Sequence, residues 1–322
     1  MARLRIGTWN LENLFKPGTD GGAPTDTTAY DAKLAALSST ITALQPHVMA
    51  VQEVGEPEAL DDLAALLPGT WHTATAPPDD RGISCGVLSR LTILESEPFS
   101  DFPAGLGPVQ VNDAGKTLTA LGRPGLRVRV PWSTHLDAAG HGRLLDVVSV
   151  HLKSKLLTFP GGRFAPLDED ERARFAVYAL HRRAAEAAGV RAFATALLGD
   201  HGDQRRVVVA GDLNDEPTAA TTQILLGPPG SEIGTGGFDH PDLGDPQRLW
   251  NVTALIPEKE RYSRVYRTRH ELIDHLMVSR ALLDDVRTVA AGGPAPSVDD
   301  DPRDRVDTPG SDHRPVLASF AI

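Results

Sequence analysis

Short apolar runs that end on a polar or charged residue recur along this chain, and they constrain its fold more than any other feature. Leu4 to Thr8 leads into Trp9-Asn10, Val48 to Val51 into Gln52-Glu53, Val147 to Val150 into His151, and Val207 to Ala210 into Gly211-Asp212. Leu272-Ile273 leads into Asp274 and then Leu276 to Val278, and Val316 to Phe320 follows Asp312-His313-Arg314-Pro315. Runs of roughly four to eight such residues, bounded by Gly, Pro or polar clusters, read as buried strands.

Helices fill some of the intervals. Thr28 to Leu44 places Leu34, Leu37, Ile41 and Leu44 on one stripe, with Thr28 and Asp31 suiting a capped start and Pro46 beyond the end. Asp168 to Leu198 reads as one long helix, or as two broken near Gly189. Pro217 suits the first turn of a third helix running to about Leu226. Stretches dense in Gly, Pro and Asp read as loops: Lys16 to Asp26, Phe99 to Gly115, Gly227 to Asp245 and Gly292 to Gly310. Asp299-Asp300-Asp301 in the last of these reads as solvated loop and not as a dedicated metal site. Strands and helices mix without a break in composition, and no repeat is visible, so one α/β domain over residues 1–322 is expected.

Of the 322 residues, 41% are hydrophobic, enough for one large core or two smaller ones. A single cysteine, Cys85, excludes an intrachain disulfide and any Cys-based zinc or iron–sulfur site. No run approaches the length of a membrane span, and the N-terminus enters a strand pattern at once. A cytoplasmic monomer is expected, with secretion open if an export signal has been removed. The net charge of −11 argues against a protein that coats nucleic acid non-specifically. An acidic cleft filled by a metal, with a few arginines, still holds one phosphate.

Hydrolysing a phosphate ester needs a cation on the phosphoryl oxygens, a group to orient water, donors for the developing charge and help for the leaving oxygen. Each has candidates here. Glu53 follows a buried strand; alone, such a Glu is an ordinary surface residue. Asp212 and Asn214 lie two apart, so in extended backbone they share a face; alone, they also suit a turn capping the next helix. Asp274 sits among apolar residues and needs a partner, for which His313 is the candidate; the plain alternative is a satisfied core Asp–His pair. Such a pair fixes the imidazole tautomer and favours the protonated ring. Alternation after Val150 puts His151, Lys153 and Lys155 on one face, facing a phosphate or simply solvent. Asn10 is placed to hold the Glu53 carboxylate or a metal-bound water.

In order, Thr-Trp-Asn-Leu-Glu-Asn (8–13), Val-Gln-Glu-Val (51–54), Val-His-Leu-Lys-Ser-Lys (150–155), Gly-Asp-Leu-Asn-Asp (211–215), Leu-Ile-Asp-His (272–275) and Gly-Ser-Asp-His-Arg-Pro (310–315) span nearly the whole chain. The series resembles the endonuclease/exonuclease/phosphatase superfamily, the deoxyribonuclease-I-like fold. That resemblance implies a four-layer α/β/β/α sandwich: two mixed β-sheets flanked by helices, with the site at one edge. It implies Mg²⁺, with Mn²⁺ or Ca²⁺ as alternatives. Glu53 would be the principal metal ligand, with Asn10 beside it and Asp312 nearby. Asp212 would activate water, Asn214 would bind the phosphoryl group, His151 would contact the phosphate and Asp274 would orient His313. Asp80-Arg81-Gly82-Ile83 looks like the bacterial nuclease branch and would aim Arg81 at phosphate, and Lys153 is a second candidate for a phosphate contact. Ser84-Cys85 departs from that branch's usual acidic or amide residue, and no basic insertion for duplex DNA is visible.

The substrate expected is nucleic acid, supported by the Arg/Tyr stretch from Arg261 to Arg267. An edge strand with a solvated charged face is the plain alternative for that stretch. The second functional expectation is a phosphatase or phosphodiesterase for a small or lipid phosphate, such as an inositol phosphate or a sphingomyelin-like headgroup. A binding module that lost catalysis would lack Glu53, Asp212 or His313, and all three are present.

Overall fold

A computed structural model describes residues 3–19, 22–136, 142–293, 295–299 and 305–321. Two six-stranded sheets face each other. The first contains β1 (Arg3–Leu14), β2 (Val48–Val54), β3 (His72–Thr75), β4 (Ser84–Ser89), β11 (Val286–Ala291) and β12 (Val316–Ala321), in the order β11-β12-β1-β2-β4-β3. The second contains β5 (Glu95–Asp101), β6 (Ala120–Leu136), β7 (Gly142–His151), β8 (Arg206–Asp212), β9 (Trp250–Asn251) and β10 (Asp274–Val278), in the order β9-β10-β8-β7-β6-β5. Each sheet is antiparallel except for one parallel pair at its centre, β1–β2 in the first and β7–β8 in the second. A helix makes each parallel crossover, α1 (Thr27–Leu44) and α3 (Glu169–Leu198); α2 (Pro57–Ala65) follows β2.

Alternation along the strands explains the layers. Ile6, Ala50, Val87, Val128, Val147 and Val208 point between the sheets and form one buried cluster with Leu276, Val316 and Phe320. Their neighbours face outward. Met49, Val51 and Leu88 pack on Leu37 and Ile41 of α1 and on Leu60 and Leu63 of α2. Val148, Val207 and Val209 pack on Ala187, Val190, Ala194 and Leu198 of α3. Strands buried on both faces must be apolar at every position, which accounts for the continuous runs in the sequence. The result is the α/β/β/α sandwich. At about 1.5–3 kcal/mol for each large side chain fully buried, the layers are held chiefly by this packing.

Several elements differ from expectation. The cap of α1 is Asp26, whose carboxylate accepts from the Ala29 N–H, and not Thr28 or Asp31. α3 runs unbroken through Gly189. A Cβ there would lie 2.6 Å from Leu121 Cδ1 and 2.9 Å from the Asp101 carbonyl, so this glycine serves helix–sheet contact. Of the stretch from Pro217 to Leu226 only Ala220–Gln223 is α-helical; there the Thr221 hydroxyl donates to Asp215 and the Gln223 side chain donates to the Pro217 carbonyl. The expected loop from Phe99 to Gly115 begins within β5 and contains Val109–Gln110, which pairs with Thr117–Leu118. These are exposed strands, so no apolar run reveals them. Of Asp299-Asp300-Asp301, the last two lie outside the described residues.

Candidate active site

The parallel pairs bring the carboxyl ends of β1 and β2, and of β7 and β8, to one edge of the sandwich. Asp212 is in register with His151 on one side and Asp274 on the other. This close pairing requires Gly211, since a Cβ there would sit 1.9 Å from the Val150 carbonyl oxygen. Between the sheets, Gln52 Nε2 donates to Ser149 Oγ at 3.2 Å, and Ser149 Oγ donates to the Val51 carbonyl at 3.1 Å. That cross-link fixes the gap in which the polar residues meet.

Asn10 bridges the two sheets. Its Nδ2 donates to Glu53 Oε1 at 3.2 Å and to Asp212 Oδ2 at 3.0 Å, while its Oδ1 accepts from the Glu12 N–H at 2.9 Å. The backbone contact sets which way the amide points. Asn10 therefore presents donors to two carboxylates, and its role here is to hold them. Glu53 Oε2 accepts from the Asn13 N–H at 3.0 Å. Glu12, Asn13, Glu53 and Asn214 all have positive φ, 52°, 56°, 58° and 54°. Left-handed backbone costs an L-residue about 1–2 kcal/mol, and four such residues gather at this one edge.

His313 Nδ1 is 2.7 Å from Asp274 Oδ2, and both residues are buried. Its Nε2 lies 3.9 Å from Asp212 Oδ2 and 3.9 Å from Asp312 Oδ1. Burial opposes the charged ring, but Asp274, Asp312 and Asp212 outweigh it and raise the His313 pKa to about 10. Asp212 is raised to about 7 by burial and by the Asp274 charge, against the pull of His313 and Asn10. His151 Nε2 is 3.5 Å from Asp212 Oδ2. Burial, together with the nearby Arg123 and His313 cations, holds His151 well below its ordinary value, so the ring is neutral. Among the described residues, His151 Nδ1 and Asp274 Oδ1 are buried without a hydrogen-bond partner.

The segment carrying Asp312 and His313 is bound to β1 and α1 by groups that sequence reasoning did not single out. Arg305 donates to both Glu12 carboxylate oxygens, at 2.5 and 2.8 Å, and Glu12 Oε2 also accepts from the Asp312 N–H at 2.8 Å. Ser311 Oγ donates to the Asn10 carbonyl at 2.7 Å, Lys33 Nζ to the Gly310 carbonyl, and Trp9 Nε1 to the His313 carbonyl at 2.8 Å. Glu12 lies inside the motif at 8–13, but nothing in the sequence pairs it with Arg305, nearly the whole chain away.

Not every candidate faces the gap. β7 ends at His151, so strand alternation does not continue to Lys153 and Lys155. Lys153 Nζ instead donates to the Ser154 and Leu156 carbonyls, at 2.9 and 2.8 Å, and Lys155 pairs with Asp215. Asp312 accepts from Arg264 Nε at 3.3 Å. Burial would raise the Asp312 pKa, but His313, Arg264 and Arg305 hold it low. Arg264 is thus directed inward from the Arg/Tyr stretch, while Tyr262 stacks on His270 and under Arg314. Asn214 donates its N–H to Asp212 Oδ1 at 2.8 Å and its side-chain amide to the Leu152 carbonyl at 3.0 Å. Arg81 lies on an exposed turn, its N–H bound by Asp79.

The family model for the endonuclease/exonuclease/phosphatase family matches residues 7–313, from the strand bearing Asn10 to His313 itself. The chain belongs to the endonuclease/exonuclease/phosphatase family. No curated protein matches it by sequence. Solved structures share the fold at low identity. An endonuclease/exonuclease/phosphatase from Bacteroides vulgatus has TM-score 0.58 and 15% identity, with 100% of each chain covered. D. rerio TDP2 complexed with a single-strand DNA product has TM-score 0.55 and 16% identity, again covering 100% of both chains. A mannosyl-6-phosphatase from Bacteroides thetaiotaomicron has TM-score 0.54 and 14% identity, covering 99% of this chain and 100% of that one. Members of the family are hydrolases of phosphoester bonds. Among the described residues, no helix is long and apolar enough to cross a membrane.

The donor set of this family member fits a hard divalent cation. Glu53 keeps 21% of its side chain exposed, whereas Asp212 keeps 2%. Both carboxylates are drawn together by Asn10, and oxygen ligands of this kind suit Mg²⁺, which retains several waters. The tightest acidic group among the described residues is instead Asp212, Asp274 and His313, with ligand atoms within 4.8 Å of one another. His313 Nδ1 is taken up by Asp274 Oδ2 at 2.7 Å and the surrounding carboxylates favour the protonated ring, so those three are understood as a charge-stabilised pair facing a base.

Proposed function

We propose that this chain is a divalent-metal-dependent phosphodiesterase that cleaves nucleic-acid phosphodiester bonds, with residues 1–322 forming one catalytic domain that works as a monomer. The observation that carries the proposal is the convergence of Asn10–Glu53 from one sheet with His151, Asp212 and the Asp274–His313 pair across the gap. Glu53, the more exposed of the two carboxylates, would hold Mg²⁺, and Mn²⁺ or Ca²⁺ would fit the same oxygen donors. Bound there, the cation supplies charge neutralisation at the phosphoryl oxygens. The protein supplies the rest. Asp212, raised towards neutrality, accepts the proton of the attacking water. The protonated His313, held by Asp274, donates from Nε2 to an oxygen of the phosphate. Neutral His151 offers an N–H from the opposite side, and Asn214 supports Asp212 through its backbone N–H. Asn10 keeps the Glu53 and Asp212 carboxylates in fixed relation.

A second reading, hydrolysis of a small or lipid phosphate, is favoured by one specific observation. The cations around the site are paired with carboxylates: Arg305 with Glu12, Arg264 with Asp312, Arg123 with Asp79, and Lys155 and Arg183 with Asp215. Little positive field remains for a long polyanion. Purified protein incubated with circular DNA, linear DNA, RNA and a phosphomonoester panel, with Mg²⁺ or with chelator, separates the two. We expect Mg²⁺-dependent cleavage of polynucleotide. Turnover of monoesters alone would establish the second reading, and no metal-dependent turnover of any substrate would defeat both. Asp212→Asn is expected to cost about 10²–10⁴-fold in rate, and a loss below about tenfold would remove Asp212 from the role of base.

A further inference from the structure

α3 buries two charged residues, Arg183 and Glu186, on the stripe that also buries Ala179, Ala187, Val190 and Ala194. A buried charge is costly unless it is bonded, so both must find partners at that face. Ala187, Val190 and Ala194 meet β7 and β8, whereas Arg183 and Glu186 meet the chain where it leaves those strands beside the site. We propose that Arg183 is a positioning residue of the phosphoesterase site: its guanidinium ties the segment leaving His151 to the segment carrying Asn214, and Glu186 completes the hold. The proposal rests on the phosphoesterase reading and adds residues that act through His151, Asp212 and Asn214.

The contacts account for every backbone polar group of Leu152 and Lys153, the two residues after β7. The Leu152 N–H donates to the Asp212 carbonyl at 3.0 Å, and the Leu152 carbonyl accepts from the Asn214 amide at 3.0 Å. The Lys153 N–H donates to Glu186 Oε2 at 2.7 Å, and the Lys153 carbonyl accepts from Arg183 Nη1 at 3.1 Å. The same guanidinium donates through Nε to Asp215 Oδ2 at 3.0 Å, an oxygen that also accepts from the Thr221 hydroxyl at 2.6 Å. Glu186 Oε1 in turn accepts from Arg182 Nε at 2.8 Å and from the Gly122 N–H at 3.3 Å. Arg183 is therefore a rigid fork between two segments, and each segment starts from a residue of the site.

Sheet pairing ends where this hold begins. His151 and Asp212 are the last register pair of β7 and β8. Two residues beyond Asp212, Asn214 has a φ of 54°. Left-handed backbone at a non-glycine residue persists only where the surrounding bonds over-determine it. Arg183 bonds the residue next to Asn214, so one side chain fixes both that turn and the chain after His151. A misplacement of about 1 Å in a catalytic group can cost about 100-fold in rate, which makes such a fork matter for turnover.

The test uses bis(p-nitrophenyl) phosphate with Mg²⁺ or Mn²⁺ and a matched control on the same helix. Arg183→Lys keeps the positive charge but not the fork. Arg191→Lys breaks a similar fork about 12 Å further along α3, where the Arg191 guanidinium donates to the Leu225 and Gln247 carbonyls at 3.0 and 2.9 Å. At a temperature where the variants are folded, Arg183→Lys should lower kcat about tenfold or more with KM within about threefold of wild type. Arg191→Lys should leave kcat within about twofold. Glu186→Ala releases the Lys153 N–H and should lower kcat as Arg183→Lys does, so either variant decides the matter if the other does not fold. Wild-type kcat in a folded Arg183→Lys or Glu186→Ala protein, a loss confined to KM, or an equal loss in Arg191→Lys would overturn the proposal. If the wild type leaves the ester intact with both metals, the phosphoesterase reading fails, and hydrogen exchange in metal-free protein decides the hold. Arg183→Lys should then speed exchange of the Leu152, Lys153 and Asn214 amides about tenfold relative to Val148 and Val208, and Arg191→Lys should not. No change, or the same change at all five amides, would refute the hold.

Discussion

Asp274→Asn keeps the shape of a buried side chain and removes its charge. In the wild type burial is outweighed by the Asp274, Asp312 and Asp212 charges, which raise the His313 pKa from the ordinary histidine value of 6.5 to about 10. At 1.36 kcal/mol per unit this difference caps the effect near ~5 kcal/mol, and Asp312 and Asp212 share in it. We therefore expect the substitution to cost about 3 kcal/mol of stability in metal-free protein at pH 6, in line with removal of one partner of a buried pair. The sign with pH follows from the raised pKa. Both folded and unfolded wild type carry the proton below pH 6.5, so the stabilisation is fully present there. Between 6.5 and about 10 the unfolded chain loses the proton first, and the stabilisation declines until it is gone above 10. Urea melts in chelator from pH 6 to 10 should thus show the gap between wild type and variant closing as pH rises. Under the phosphodiesterase reading, activity should fall about 10²–10⁴-fold as well. A gap that is constant with pH, or below about 0.5 kcal/mol at pH 6, would refute the claim that Asp274 holds a charged ring.

Glu53→Gln should weaken Mg²⁺ binding by about tenfold or more in calorimetry, whereas unchanged affinity would move the metal elsewhere. Arg305→Ala and Glu12→Gln should each destabilise the protein by about 1–3 kcal/mol, and the double variant should cost little more than either alone; additivity would show that the two side chains do not act as one pair. His275 is buried between the Asp215 carbonyl, 2.9 Å from Nε2, and the Asn251 amide, 3.0 Å from Nδ1. Burial lowers its pKa, so the unfolded chain binds a proton below about 6.5 that the folded protein refuses, and stability declines as pH falls through that value. His275→Gln should flatten part of the stability slope between pH 7 and 5, and an unchanged slope would contradict the neutral assignment.

What the sequence determined by itself is the set of buried strands and the polar residue at the end of each. β2, β7, β8 and β12 announce themselves because strands covered on both faces must be apolar throughout, and a lone Glu53, His151 or Asp212 stands out against such a run. The order of motifs likewise pointed to the four-layer fold and to the family. Exposed strands such as β5 left no mark, because solvent accepts nearly any side chain there. Tertiary structure alone decided which candidates meet. Asn10 became a donor to two carboxylates only because Glu12 fixed its amide, and Lys153 left the gap because β7 stops at His151. Arg305 joined the site through a contact spanning almost the full chain. Periodicity reports which face of a strand is buried; it carries no information about which strand ends share an edge, since that depends on crossovers and sheet order. The physical reason is that burial is a local property of composition, while convergence is a property of topology.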